Sequence, residues 1–274
     1  MNDKPDNIPQ PIKAYKDEHF INSPSARVLR IIAEYLAPKE RLALHDIKDT
    51  IVFFGSARIK SEEEARSALD ALRETTGPIL AAERALEMSR YYEATRELSR
   101  RLTEWSLGLP GAEGRFVVCS GGGPGIMEAT NRGAAEAGGK SVGLGISLPF
   151  EQSGNPYITP DLNFQFHYFF MRKFWFAYVA KAFVVMPGGF GTLDELMEIL
   201  TLIQTRKMTK KVPIVLFGTR FWDEVISFPS LVRYGTISPE DLNLFLKTDR
   251  LDEAFDYITH ALMTHAWDKP GGSM

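Results

Sequence analysis

The chain of 274 residues has very little cysteine: Cys119 stands alone, so no intramolecular disulfide framework can form, and a reducing compartment suits it. Its five histidines are scattered without metal-ligand spacing, and HExxH, CxxC and GxSxG are all missing. Zinc hydrolases of the usual helical type, dithiol redox enzymes and serine hydrolases with a nucleophile elbow are thereby excluded, and neither a metal nor a cofactor is expected. No apolar run approaches the roughly 20 residues that cross a bilayer. The opening MNDKPDNIPQPIKAYKDEHF lacks the apolar core of a secretory signal. An excess of positive charge is also lacking. Thirty-two Lys and Arg face 35 Asp and Glu, a net charge of -3, which argues against a nucleic-acid or anionic-membrane partner. A soluble cytoplasmic protein is the expectation. What the chain does have is 44% hydrophobic residues, enough for the core of one large domain.

Residues 1–21 are polar and carry Pro5, Pro9 and Pro11, the pattern of a loose arm or of one that orders only against a partner subunit. Val28, Leu29, Ile32 and Leu36 then follow a helical period, and Pro38 is predicted to end it. An arm and helix over 1–47 thus precede a single domain over 48–267, with a tail at 268–274. Strands are expected at 50-TIVFF-54, 115-RFVVCS-120, 141-SVGLGISL-148, 161-DLNFQFHY-168, 182-AFVVM-186 and 212-VPIVLF-217, separated by helices. Two helices near 61–74 and 79–107, divided at Gly77-Pro78, form an insertion at about 60–110. Val-, Ile- and Phe-rich strands alternating with helices predict an α/β fold of three layers, a parallel sheet covered on both faces. Such sheets bind ligands at the carboxyl ends of their strands. Three of these strands end in glycine turns: Gly55-Ser56, Gly121 to Gly125, and Gly188 to Gly191.

In 121-GGGPGIMEATNRGA-134 the glycines permit close backbone approach, and a helix start offers free amides to an anion. A tight strand-to-helix turn without ligand fits as well. The dinucleotide fingerprint fails, because Ile126 stands where the third glycine belongs and no acid ends the next strand. Gly139-Lys140-Ser141 precedes a strand and reads as a helix C-cap, not a P-loop. In 187-PGGFGTLDE-195, Thr192 and Glu195 have the spacing of a capping box, which would make Glu195 structural. The three glycines exceed what a cap needs, however, and place an acid on the rim of the cleft. Both readings stand at this point. Arg172 and Lys173 interrupt 168-YFFMRKFWFAYVAK-181; a solvated pair is the plain explanation, yet Arg172 falls near the same sheet edge and can fork onto a phosphate or ribose. Phe169, Phe170, Phe174 and Trp175 read mainly as core, and Cys119 as a buried small hydrophobe.

The pairing of 171-MRK-173 with 187-PGGFGTLDE-195 resembles the Lonely guy family of cytokinin-activating nucleotide hydrolases, long mislabelled as lysine decarboxylases, and 121-GGGPGIMEATNRGA-134 and 54-FGSAR-58 are similar to its other nucleotide loops. The resemblance covers about residues 50–220. It implies a modified Rossmann fold, a homo-oligomer built on dimers, and hydrolysis of a nucleoside 5'-monophosphate to free base and ribose 5-phosphate without a cofactor. By position it implies Arg172 and Glu195 as the catalytic pair. Gly188, Gly189, Gly191 and Thr192 would hold the phosphate, and Gly121, Gly122, Gly123, Ser56 and Lys173 would serve the same nucleotide. Phe169, Phe170 and Met171 stand where the compact members have Met-His-Glu, so the base pocket differs; the substrate implied is adenosine monophosphate or a cytokinin riboside monophosphate, with adenosine or another purine monophosphate the preferred expectation. A non-catalytic carrier on the same fold is the alternative.

Overall fold

The computed structural model describes residues 10–73, 79–148 and 154–273. The first nine residues of the expected arm and the Gly77-Pro78 break lie outside them. Helix α1 (Glu18–Asn22) is joined to α2 (Arg27–Leu44) by Arg30, whose Nη1 donates to the carbonyls of Ile21 and Ser23. Strand β1 (Thr50–Phe54) follows, then α3 (Glu62–Arg73), α4 (Ile79–Leu107), β2 (Val117–Ser120), α5 (Ile126–Glu136), β3 (Ser141–Ile146) and β4 (Asn163–Phe166). The second half runs α6 (Phe169–Val179), β5 (Ala180–Val185), α7 (Phe190–Gln204), β6 (Ile214–Phe217), α8 (Thr219–Val225), α9 (Phe228–Arg233), β7 (Leu246–Thr248) and α10 (Leu251–His265).

All seven strands described are parallel, in the order β4-β3-β2-β1-β5-β6-β7. Alternation along each strand divides the core in two. Val52, Phe54, Phe183 and Val185 face one side, where α2, α6 and α7 supply Leu42, Trp175, Phe176, Leu196 and Ile199. Ile51, Phe53, Ala182 and Val184 face the other, beneath Tyr91, Tyr92, Leu98 and Leu102 of α4, Ile126 and Ala129 of α5, and Ile258 and Leu262 of α10. The expected three-layer α/β fold is therefore the observed one. Helix α4 contributes one of its faces to the core. Helix α5 ends at Ala137, its C-cap, in a glycine turn of the expected kind: Gly138 stands at φ 72° and the Gly139 N–H returns to the Ala134 carbonyl.

Pro38 does not end its helix; α2 continues through it to Leu44. A proline leaves the carbonyl four residues back without its amide donor. Here that carbonyl belongs to Glu34, and the indole Nε1 of Trp175 donates to it at 3.0 Å. A donor from α6 thus replaces the lost helical bond. The stripe of Val28, Leu29, Ile32 and Leu36 is helical as expected, but it faces outward.

Candidate functional site

The strand order reverses between β1 and β5: the chain steps outward from β1 to β4 and then returns to add β5 on the other side of β1. That is the topological switch point, where the loops leaving two neighbouring strands part in opposite directions and open a crevice. A cavity of about 670 Å³ lies there, a volume that suits a small-molecule site. The turn after β1 lines it with Gly55, Ser56 and Arg58. Gly121 comes from the β2–α5 connection and Met127 from the first turn of α5, Arg172 and Phe176 from α6, and the segment from Gly188 to Glu195 from the β5–α7 turn and the start of α7.

Helix α7 begins at Phe190, with Gly189 as N-cap in extended backbone and no side-chain cap. The capping-box reading is thereby corrected. The helix starts earlier than a Thr192 cap would require, its first bond runs from the Leu193 N–H to the Gly189 carbonyl, and Thr192 and Glu195 are buried residues inside the helix. The N–H groups of Phe190, Gly191 and Thr192 precede that first bond and have no helical acceptor, so they and the helix dipole present positive potential at the cavity. Thr192 is seated against Gly188, where a Cβ would collide with its Oγ1; around Gly189 and Gly191 a Cβ would meet nothing within 4 Å. Packing therefore explains the first glycine. The bare Cα atoms of the other two leave the amides accessible.

Glu195 projects from the second turn of α7 and is 4% exposed. Its Oε1 accepts from Arg172 Nη2 at 3.1 Å. Burial, the largest influence, pushes the Glu195 carboxyl above the usual carboxylate range, opposed by the charges of Arg172 and Lys173. Burial likewise pulls Arg172 down while Glu195 holds its charge; a guanidinium keeps its proton regardless. The Arg172 guanidinium lies 5.1 Å from the Phe169 ring and 5.6 Å from that of Phe176, and its buried Nε has no hydrogen-bond partner among the described residues. The aromatic residues thus fix the plane of the cation that holds the acid.

The structure brings Ser56, Gly121, Arg172, Gly188, Gly189, Gly191, Thr192 and Glu195 to one cavity. Gly122, Gly123 and Lys173 are absent from its wall. Gly122, at φ 73°, donates its N–H to Ser120 Oγ, and its carbonyl takes the N–H of Asn155. The Asn155 amide nitrogen also donates to the Gly123 carbonyl at 3.0 Å, so these two glycines anchor the loop to the β3–β4 connection. Lys173 pairs with Asp194 at 2.8 Å and Glu198 at 2.7 Å, tying α6 to α7 beside the cavity. Arg58, Phe176, Phe221 and Val225 line the cavity without having been singled out as ligands. A cation directly after a Gly-Ser turn was a legible signal for Arg58. Phe221 and Val225 carry none, because their place depends on β6 lying beside β5. Cys119 takes no part: it is fully buried, and burial pushes its thiol up.

An α/β protein with an anion-receptive crevice at its switch point is the class that this fold and site define. The family model described as "Possible lysine decarboxylase" matches residues 127–258. The cytokinin riboside 5'-monophosphate phosphoribohydrolase LOG of Oryza sativa subsp. japonica is 30% identical over 186 residues, covering 65% of this chain and 72% of the relative. LOG7 of Arabidopsis thaliana, a cytokinin riboside 5'-monophosphate phosphoribohydrolase, is 28% identical over 193 residues, 65% of this chain and 82% of the relative. Among solved structures, the Moco carrier protein from Chlamydomonas reinhardtii superposes with a TM-score of 0.47 at 18% identity, covering 79% of this chain and 99% of that one. The chain belongs to the Lonely guy family.

Proposed function

We propose that the chain hydrolyses the N-glycosidic bond of a nucleoside 5'-monophosphate, with a purine monophosphate, adenosine monophosphate first, as substrate. The observation that carries this reading is the buried Arg172–Glu195 pair in the wall of the cavity that also receives the free amides of α7. The family relatives named as phosphoribohydrolases support it. In this reading the 5'-phosphate sits on the N–H groups of Phe190, Gly191 and Thr192, with Ser56 and Gly121 bordering the same nucleotide. Binding energy from the phosphate then holds the ribose against Glu195. As the bond from C1' to the base nitrogen breaks, its electron pair leaves with the base and positive charge grows on the sugar, as in glycoside hydrolysis. The Glu195 carboxylate stabilises that charge and orients a water, whose oxygen bonds to C1'. One water proton ends on the departing base and the hydroxyl on ribose 5-phosphate. Arg172 keeps Glu195 ionised despite its burial and fixes its direction.

The test is incubation with a panel of nucleoside monophosphates, with chromatography for free base. Turnover that is lost in Glu195→Gln while nucleotide binding persists supports the hydrolase. Tight binding with no base released from any member of the panel would replace it with a non-catalytic carrier.

A further inference from the structure

A second cavity, of about 560 Å³, opens at the far end of the same two helices that carry Arg172 and Glu195. Helix α7 runs about 22 Å from the crevice to its last residue, Gln204, and the chain then turns through Arg206 into β6. The cavity lies between this turn and α10. Arg206, Lys210, Lys211, His260 and His265 are among its lining residues, and no aspartate or glutamate is. In a chain of net charge -3, such a one-signed wall is a local construction. Its cations are poorly spoken for: among the described residues neither Arg206 nor Lys211 has an ion pair. The nearby Asp241 is engaged elsewhere, accepting from Gln204 Nε2 and from the Ser238 N–H. Lys210 is half-buried, and its ammonium donates to the carbonyls of Ala177 and Tyr178 at the C-terminal end of α6.

The backbone supplies an independent observation. Arg206 stands at φ 57°, just past the end of α7, in the left-handed conformation that glycine or asparagine fills at little cost. Arginine there is strained, and strain of this kind gathers at binding sites and switches. Glycine would close the helix with less strain. The opposite wall is apolar and aromatic, with Leu244, Ala261 and the half-buried Tyr257. The cavity is far larger than an orthophosphate ion, and it offers Arg206 and Lys211 as two separate cations.

We propose that this cavity binds a small organic polyphosphate, with linked phosphate groups spanning Arg206 and Lys211 and the uncharged body of the ligand against Tyr257 and Leu244. The site is separate from the switch-point crevice and does not depend on the activity assigned there. Charge-assisted contacts from Arg206 and Lys211 supply most of the affinity, and they are screened by salt.

The experiment is calorimetric titration of the full chain at low ionic strength with sodium tripolyphosphate, with orthophosphate as the comparison. One site is expected, with orthophosphate at least tenfold weaker. The double variant Arg206→Gly, Lys211→Ala is expected to bind tripolyphosphate at least about tenfold more weakly, the loss of two charge-assisted contacts. Its melting temperature should hold or rise, because glycine relieves the backbone at 206. No binding at millimolar tripolyphosphate would overturn the proposal. So would unchanged affinity in the double variant, or displacement of tripolyphosphate by adenosine monophosphate, which would move the ligand to the crevice.

Discussion

Gly188, Gly189 and Gly191 are near neighbours in the chain but answer to different constraints, and their replacements should separate stability from activity. Gly188→Ala drives a methyl into Thr192 Oγ1 and should destabilise the fold by about 1–3 kcal/mol, measured by urea unfolding. Gly191 is helical and its missing Cβ would stand in open space, so Gly191→Ala should raise stability by about 0.5–1 kcal/mol through helix propensity alone. The same methyl borders the crevice, and base release from the monophosphate should fall. A Gly191→Ala variant that is stabilised and fully active would remove the phosphate from the first turn of α7. Glu195→Gln should lower kcat by about 10²–10⁴-fold, the range for a positioned acid–base group, with the fold retained. In the proposed mechanism the ionised carboxylate is the working form, and burial raises its pKa. Activity should therefore fail on acidification at a higher pH than an ordinary glutamate would set, and a pH profile of kcat/KM checks this.

Between elements, the contact of Trp175 with the Glu34 carbonyl shows how a proline survives inside α2. Trp175→Phe keeps the aromatic packing and removes the donor, leaving a part-buried carbonyl unpaired at a cost of about 1 kcal/mol. Pro38→Ala restores the helical amide that Glu34 lacks. In that background the Trp175→Phe cost should shrink, and a double-mutant cycle in denaturant unfolding measures the coupling; additive losses would disprove the replacement of one donor by the other. This compensation explains why Pro38 misled the reading of residues 25–36. Local rules see the ring and the lost amide, and the partner that cancels them comes from a distant helix. The capping-box alternative for α7 fell for a related reason. Thr192 and Glu195 had the right spacing for a cap, and the clash of any Gly188 side chain with Thr192 that fixes their true place is a packing fact.

Across the molecule, the strands β1, β2, β3, β5 and β6 were legible as apolar runs, and β4 as an alternating one. The short β7 and α9 were not, because neither is long enough to show a period. The cleft was half legible: three glycine turns at strand ends announced a shared edge, while the return of β5 beside β1 is a long-range pairing that no window of sequence contains. The opposite end of the sheet is locked by charge. Asp49 is fully buried, accepts the Phe116 N–H and pairs with Arg115 at 2.7 Å. Arg115 in turn donates to the carbonyls of Ala266 and Trp267 beyond α10. Arg115→Ala strands the carboxylate and should cost about 3–5 kcal/mol in unfolding measurements, while the KM for nucleotide stays unchanged.

Glu34 reaches past its carbonyl as well. Its carboxylate accepts the N–H groups of His167 and Tyr168, the two residues that lead into α6. The segment expected to be an appendage is thus a brace on the helix bearing Arg172. A chain trimmed to begin at Lys48 would keep every residue of the crevice and still lose the support that sets the angle of its arginine.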